Sequence, residues 1–409
     1  MPTTSPHKPR WLVILIIAGL CLQLGWYYLI FSHSLNQPEY LRRVDFSIFY
    51  TSGRIAREEG WSKIYSLQEQ LDMQSNLVGR QLALDELLPF NHPPVLLPVQ
   101  VLFSGDDYIQ SYQLWVAFQV LILLATGIWI FQIVRRLGWD ILSAWLFSIE
   151  CVLFHPMFVG LVKGQDTSLA LFGLVVCLSG LLRNNDREAG LGLSLLVIRP
   201  QLALPLALPF VFKQRKVWWW FLGSALFLSL FSLFLVGFQG VQDFLTMLVV
   251  STNGEQVVIH SFDMFNLKGM LIRLFPALEM TTIPVITWGA YLLGIILLCV
   301  WWSRSTQIGP RQLGVAIVMV LFISPHLHYH DLGLLLIPII ALCVEFVRKN
   351  LISPLASTAL ILGISLYLVI IQLTPLKFMG VYLLMVFLAF VLWYQGERIT
   401  RIKPLKEIL

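Results

Sequence analysis

Charge is what this sequence has least of: 12% of its 409 residues are Asp, Glu, Lys or Arg, against roughly a quarter in a soluble domain. Together with 57% apolar residues and a mean hydropathy of +0.76, this excludes water as the main solvent. A cysteine framework is missing too. Cys21, Cys151, Cys177, Cys299 and Cys343 all lie inside apolar runs, where they pack as small hydrophobes and supply neither disulfides nor zinc ligands. The first apolar run, 11–31, lacks a small-x-small cleavage site and exceeds the ~7–15 residues of a signal-peptide core, so it reads as a retained span. Repeats and low-complexity tracts are absent. The net charge of +5 does not point to nucleic acid, because the basic residues sit in short tracts between apolar segments, as in cytoplasmic loops.

What is present is a succession of apolar runs near the ~20 residues that cross a ~30 Å hydrocarbon core. They cover 11–31, 108–134, 141–161, 167–182, 217–237, 283–302, 313–323, 332–347, 351–372 and 378–394. The sequence therefore predicts an all-α polytopic membrane protein. The stretch 189–212 is interrupted by Arg199-Pro200-Gln201, and positive-inside bookkeeping favours two short pieces meeting at that break. Only then do Arg135-Arg136, the tract 183–187, Lys213-Gln214-Arg215-Lys216, the tract 304–311, Arg348-Lys349 and the tail 398–406 share one side with the N-terminus. This reading gives about twelve crossings: a cytoplasmic segment 1–10, one transmembrane domain 11–394 with long extracytoplasmic loops at 32–94 and 238–282, and a basic cytoplasmic tail 395–409. The run 95–103 is too short to span and, bounded by Pro93-Pro94 and Ser104-Gly105, is expected to lie at the outer interface.

The same topology gathers the unusual polar clusters on the extracytoplasmic side: Asp45, Asn91-His92-Pro93-Pro94, Lys163-Gly164-Gln165-Asp166, Arg199-Pro200-Gln201, and the run from Ser324-Pro325 through His326, His328 and His330 to Asp331. Ionisable groups near membrane depth are costly and usually functional. Each has a plainer reading. Asp45 suits a helix N-cap, the histidines suit an interfacial turn, Arg199 suits a snorkelling cation, and Lys163-Gly164 suits a turn. Three histidines in five residues beside an aspartate exceed what a turn needs, and suit a phosphate or, less well, a metal.

Taken in order, these clusters resemble glycosyltransferase family 87 of the GT-C superfamily, the polyprenyl-phosphate-mannose-dependent mannosyltransferases. The resemblance rests on Asp45-Phe46 with Tyr50, Gly53 and Tyr65, on His92-Pro93-Pro94, on Gly164-Gln165, on the segment 190–201 ending in Arg-Pro-Gln, and on Ser324-Pro325 before the histidines. It implies a GT-C-like bundle, a catalytic acidic residue at Asp45 and a functional histidine at His326, His328 or His330. Where the family often has Lys-Pro-Gln, this chain has Arg199-Pro200-Gln201, and no Asp-x-Asp accompanies Asp45, so no metal or other cofactor is expected.

A lipid-phosphate sugar already carries a good leaving group, which leaves the acceptor hydroxyl to be deprotonated and the departing phosphate to be stabilised. The expectation is Asp45 as base, with His326, His328, His330, Arg199, Gln201, Lys163, Gln165, His92 and Asp331 as substrate contacts. The partners are then a polyprenyl-phosphate-linked sugar, a glycan or glycolipid acceptor and the lipid bilayer of a bacterial-type plasma membrane, with no nucleic acid. A nucleotide sugar fits poorly, since no Gly-rich phosphate loop follows a strand. A transporter or flippase for a lipid-linked glycan is the rival, but it would place its groups near the midplane and show matching halves.

Overall fold

The computed structural model describes residues 10–253, 261–278, 282–305 and 308–397. The segment 1–9 and most of the basic tail, 398–409, lie outside them. Among the described residues the chain is helical throughout, with no strand. Seven helices are long and apolar enough to cross a bilayer: Arg10–Leu35, Tyr108–Arg136, Arg215–Val249, Thr282–Arg304, Tyr329–Arg348, Pro354–Gln372 and Lys377–Tyr394. Ile141–Val152 and His155–Lys163 form an eighth, bent by 43°. Pro156 explains the break, because it has no N–H to continue the preceding helix and suits the first turn of a new one, and Phe154 leaves the helical region at ψ 123°. Three more apolar helices, Thr167–Leu182, Pro200–Val211 and Pro310–Ile323, are shorter. The expected twelve crossings require all three of these, and the stretch 186–198, to cross as well.

Burial sorts the helices into centre and rim. The apolar window of Tyr329–Arg348 is 83% buried, whereas that of Arg215–Val249 is 11% buried. The first is wrapped by protein, and the second turns residues such as Phe227 and Phe234 outward, as a lipid-facing helix does. Buried polar side chains also bond to one another inside the bundle. Gln23 bonds Ser365 at 3.1 Å and Tyr27 at 2.9 Å, and His155 bonds Gln372 at 2.7 Å. The Gln23–Ser365 bond ties the first helix to Pro354–Gln372, and the His155–Gln372 bond ties His155–Lys163 to it.

Both long loops carry helix. The loop 32–94 is largely helical, with Phe46–Glu58 and Leu67–Val78 as its main elements. These helices are amphipathic and too short to register as spans, so a search for continuous apolar runs passes over them. The second loop begins as a continuation of its preceding span, since the helix Arg215–Asn253 runs on beyond a break at Gly237, whose φ of +66° only glycine adopts freely. The stretch 95–103 is short as expected, a 3₁₀ turn followed by the helix Leu97–Leu102.

The broken stretch behaves as two pieces. The helix Asp186–Ser194 packs along Thr167–Leu182, with Gly192 and Gly180 letting the backbones touch, and carries the chain back to Asp166, the residue that Arg199 meets. Pro200–Ala207 then returns. Arg187 lies over the Trp220 ring at 5.2 Å, so the tract after Lys213 lies at the same end of the bundle as Arg187, and Arg199 lies at the other.

Candidate active site

Each short apolar helix has one end at a single polar cluster. Thr167–Leu182 starts after Asp166, Pro200–Ala207 starts after Arg199, and Pro310–Ile323 ends at Ser324. Helices of 8 to 16 residues cover roughly 12–24 Å at ~1.5 Å per residue, less than a ~30 Å core. Their ends are therefore where polar groups can be held inside the bundle.

Arg199 is the hub. It is 4% exposed. Its Nη2 donates to Asp166 Oδ1 at 2.7 Å, to Thr167 Oγ1 at 3.2 Å and to Gln165 Oε1 at 3.3 Å, and its Nη1 donates to Asp331 Oδ1. Breaking the helix at Pro200 is what permits this, because the turn lets one cation bridge two elements far apart in sequence. Asp331 is committed on both oxygens: the second accepts the His328 backbone N–H at 3.0 Å and caps the 3₁₀ helix Tyr329–Leu335. The two carboxylates match the charge of Arg199.

The histidine loop is fixed from both sides. Asn266, fully buried, donates to the Ser324 carbonyl at 2.8 Å, and Phe265 N–H donates to the Leu327 carbonyl at 3.0 Å. Ser324 Oγ donates to the His326 carbonyl at 3.0 Å. The rings of His326 and His328 meet edge to face at 4.6 Å, and those of His328 and His330 are 6.0 Å apart. Gly160 gives His330 room, with only ordinary contact left for a Cβ. His330 Nδ1, Asp166 Oδ2 and Arg199 Nε are buried without a hydrogen-bond partner among the described residues, so polar capacity remains at the cluster's centre.

Asp45 joins this cluster from the first loop. Gly164, at φ +70°, presses on Phe46, where a Cβ would come within 2.5 Å of the Phe46 Cβ. The loop carrying it is held by Trp115 Nε1 donating to the Gly164 carbonyl and Tyr112 OH donating to the Val162 carbonyl, both at 2.7 Å. Asp45 thereby comes within electrostatic reach of His330 and His92. It stands at the N-cap position of Phe46–Glu58 yet makes no side-chain capping bond and has an αR backbone, which removes the N-cap reading. Its carboxylate has no hydrogen bond or ion pair among the described residues.

His92 packs edge to face on Phe49 at 5.0 Å, and its carbonyl accepts from Tyr65 OH at 2.7 Å. Burial holds it below the usual histidine range, while Asp166 and Asp331 push it up. His326 is lowered further, to about 3, by burial first and the neighbouring His328 second. Both are neutral imidazoles at neutral pH. Lys163 faces His330 electrostatically and has no ion pair among the described residues. Gln165 contributes its Oε1 to Arg199, whereas Gln201 enters through its backbone carbonyl, which accepts from Tyr291 OH at 2.9 Å. No three His, Cys, Asp or Glu side chains group as a metal site among the described residues.

Asp166, Thr167 and Asn266 were not singled out as site residues from sequence. Asp166 had a signal, standing inside the Lys163 cluster. Asn266 had none, as an isolated amide in a long loop.

Searches of curated proteins and of solved structures found no match. The profile of glycosyltransferase family 87 matches residues 90–325, more than half of the chain. The match takes in His92, Lys163, Gln165 and Arg199, ends at Ser324-Pro325, and leaves Asp45 and the three histidines outside its bounds. With this match and the spans around the cluster, the chain belongs to glycosyltransferase family 87 and is a membrane glycosyltransferase.

Proposed function

We propose that the protein transfers a hexose, mannose first among candidates, from a polyprenyl-phosphate carrier to a glycan or glycolipid acceptor on the extracytoplasmic face, with inversion. The observation that carries the reading is the difference among the three clustered carboxylates. Asp331 has both oxygens engaged and Asp166 has one on Arg199; Asp45 has neither engaged among the described residues, as a general base requires. Asp45 takes the acceptor hydroxyl proton while that oxygen bonds to the anomeric carbon. The bond from that carbon to the phosphate oxygen breaks, and the lipid phosphate leaves with the electron pair. Attack opposite the leaving group inverts the centre, by the geometry that separates inverting from retaining glycosidases.

With Arg199 held by two aspartates, the phosphate contacts fall to Lys163, His326 and His328, and Arg199 becomes a positioning residue. The two imidazoles donate N–H bonds to the phosphate, and Lys163 supplies charge. A bilayer-embedded site suits a donor whose sugar is carried on a lipid. The test supplies purified protein in nanodiscs with radiolabelled polyprenyl-phosphate mannose or with GDP-mannose, and a synthetic mannoside as acceptor. Product from the lipid donor alone, with inverted anomeric configuration by NMR, is expected. Product from GDP-mannose alone would overturn the donor assignment.

A further inference from the structure

A cavity lies in the first loop, near Asp45. It has a volume of about 720 Å³ and is lined by Arg42, Tyr50, Arg54, Asn76, Asp106 and Tyr108, among others. Its walls are the turn before Phe46–Glu58, the outer faces of Phe46–Glu58 and Leu67–Val78, and the start of Tyr108–Arg136. Most of its charge is already matched. Arg54 pairs with Asp106 at 2.5 Å and with Glu58. Asp107 accepts from the Gln110 N–H at 3.0 Å as a helix cap. The hydroxyls of Tyr50 and Tyr108 are engaged by the carbonyls of Gly105 and Leu41 at 2.8 Å and 2.5 Å.

Arg42 differs. It is half-buried, its Nε is buried without a hydrogen-bond partner, and its guanidinium has no ion pair among the described residues. A buried N–H without a partner is costly, and a planar fork of donors suits a carboxylate or phosphate. Tyr108 lies within electrostatic reach of both Arg42 and Asp45, so the cavity adjoins the carboxylate without containing it.

We propose that this cavity is the acceptor subsite, and that Arg42 selects acceptors bearing an anionic group, a carboxylate or a phosphate, beyond the hydroxyl that Asp45 deprotonates. The proposal rests on the assignment of Asp45 as base. Apolar flanks at Met73, Leu77 and Ile109 suit the hydrophobic faces of a sugar ring, and Arg42 fixes its direction. The donor then approaches Asp45 from the histidine side and the acceptor from the Arg42 side.

The probes are methyl mannoside, methyl glucuronide and mannose 6-phosphate, with binding to the protein in nanodiscs measured by saturation-transfer NMR at low salt. The Asp45→Asn variant is used, so that no turnover intervenes. A charge-assisted contact predicts tenfold to hundredfold tighter binding of at least one anionic probe than of methyl mannoside. Whichever anion is favoured separates carboxylate from phosphate. Adding Arg42→Gln should abolish the preference without lowering the thermal midpoint, since the side chain makes no hydrogen bond or ion pair among the described residues, and Arg42→Lys should keep part of it. Equal binding of all three probes, or a preference that survives Arg42→Gln, overturns the proposal. Separately, a single Asp45→Asn variant that still transfers sugar at the wild-type rate would remove the base assignment; an Arg42-dependent preference would then still leave an anion site in place.

Discussion

Single side chains decide the roles here by what their polar atoms already hold. Arg199, buried between Asp166 and Asp331, is a structural cation before it is anything else. Removing one member of a buried ion pair costs about 3–5 kcal/mol because the partner charges are left behind. Arg199→Gln is therefore expected to lower the thermal midpoint sharply and reduce extractable protein. Normal stability with a raised donor KM would instead mean that Arg199 reaches the substrate. The histidines give a pH signature. His326 drops from its ordinary 6.5 to about 3 on folding. Because the folded value is the lower one, its contribution to stability is complete above pH 6.5 and is lost as the pH falls toward 3. The thermal midpoint should decline across that window, and His326→Gln should flatten the decline. Asp45 and the histidines were legible in sequence, because ionisable residues stand out in a chain with so few. The direction Arg199 faces was not, since a cation at a helix break serves buried carboxylates or an incoming phosphate equally well until its neighbours are known.

At the scale of elements, glycines set how closely the first loop approaches the bundle. Gly164 combines φ +70° with contact on Phe46, so Gly164→Ala adds backbone strain to an overpacking cost of about 1–3 kcal/mol and should push Asp45 out of register. Gly160→Ala is the control, because its Cβ would meet His330 Cβ at an ordinary 3.5 Å. Circular dichroism melts and transfer assays of the pair should show loss in the first and near wild-type behaviour in the second. Equal tolerance would remove the contact as the device that places Asp45. The long spans were legible because twenty apolar residues have few other uses. The extents of the helices Phe46–Glu58 and Leu67–Val78 were not legible, because their apolar residues form one face rather than a run. The bend between Val152 and His155 was marked in sequence only by Pro156.

Over the whole molecule, the out-and-back path through Arg199 separates a basic end, with Arg187 and Lys213, from a polar end, with Asp45, Arg199 and the histidines. On charge bias we propose that the basic end is the cytoplasmic one. Cysteines at positions 213 and 326, in a background without native cysteines, should label from opposite sides. Labelling from one side would break the common polar face on which the donor and acceptor routes depend. The most direct test of the central claim is Asp45→Asn. Asn keeps the size of Asp and cannot accept the proton, and a positioned base contributes roughly a hundredfold to ten-thousandfold in rate. The variant should express and melt like wild type, bind polyprenyl-phosphate mannose normally, and transfer sugar at least about a hundredfold more slowly. Transfer at the wild-type rate would contradict the claim that Asp45 is the base of this glycosyltransferase.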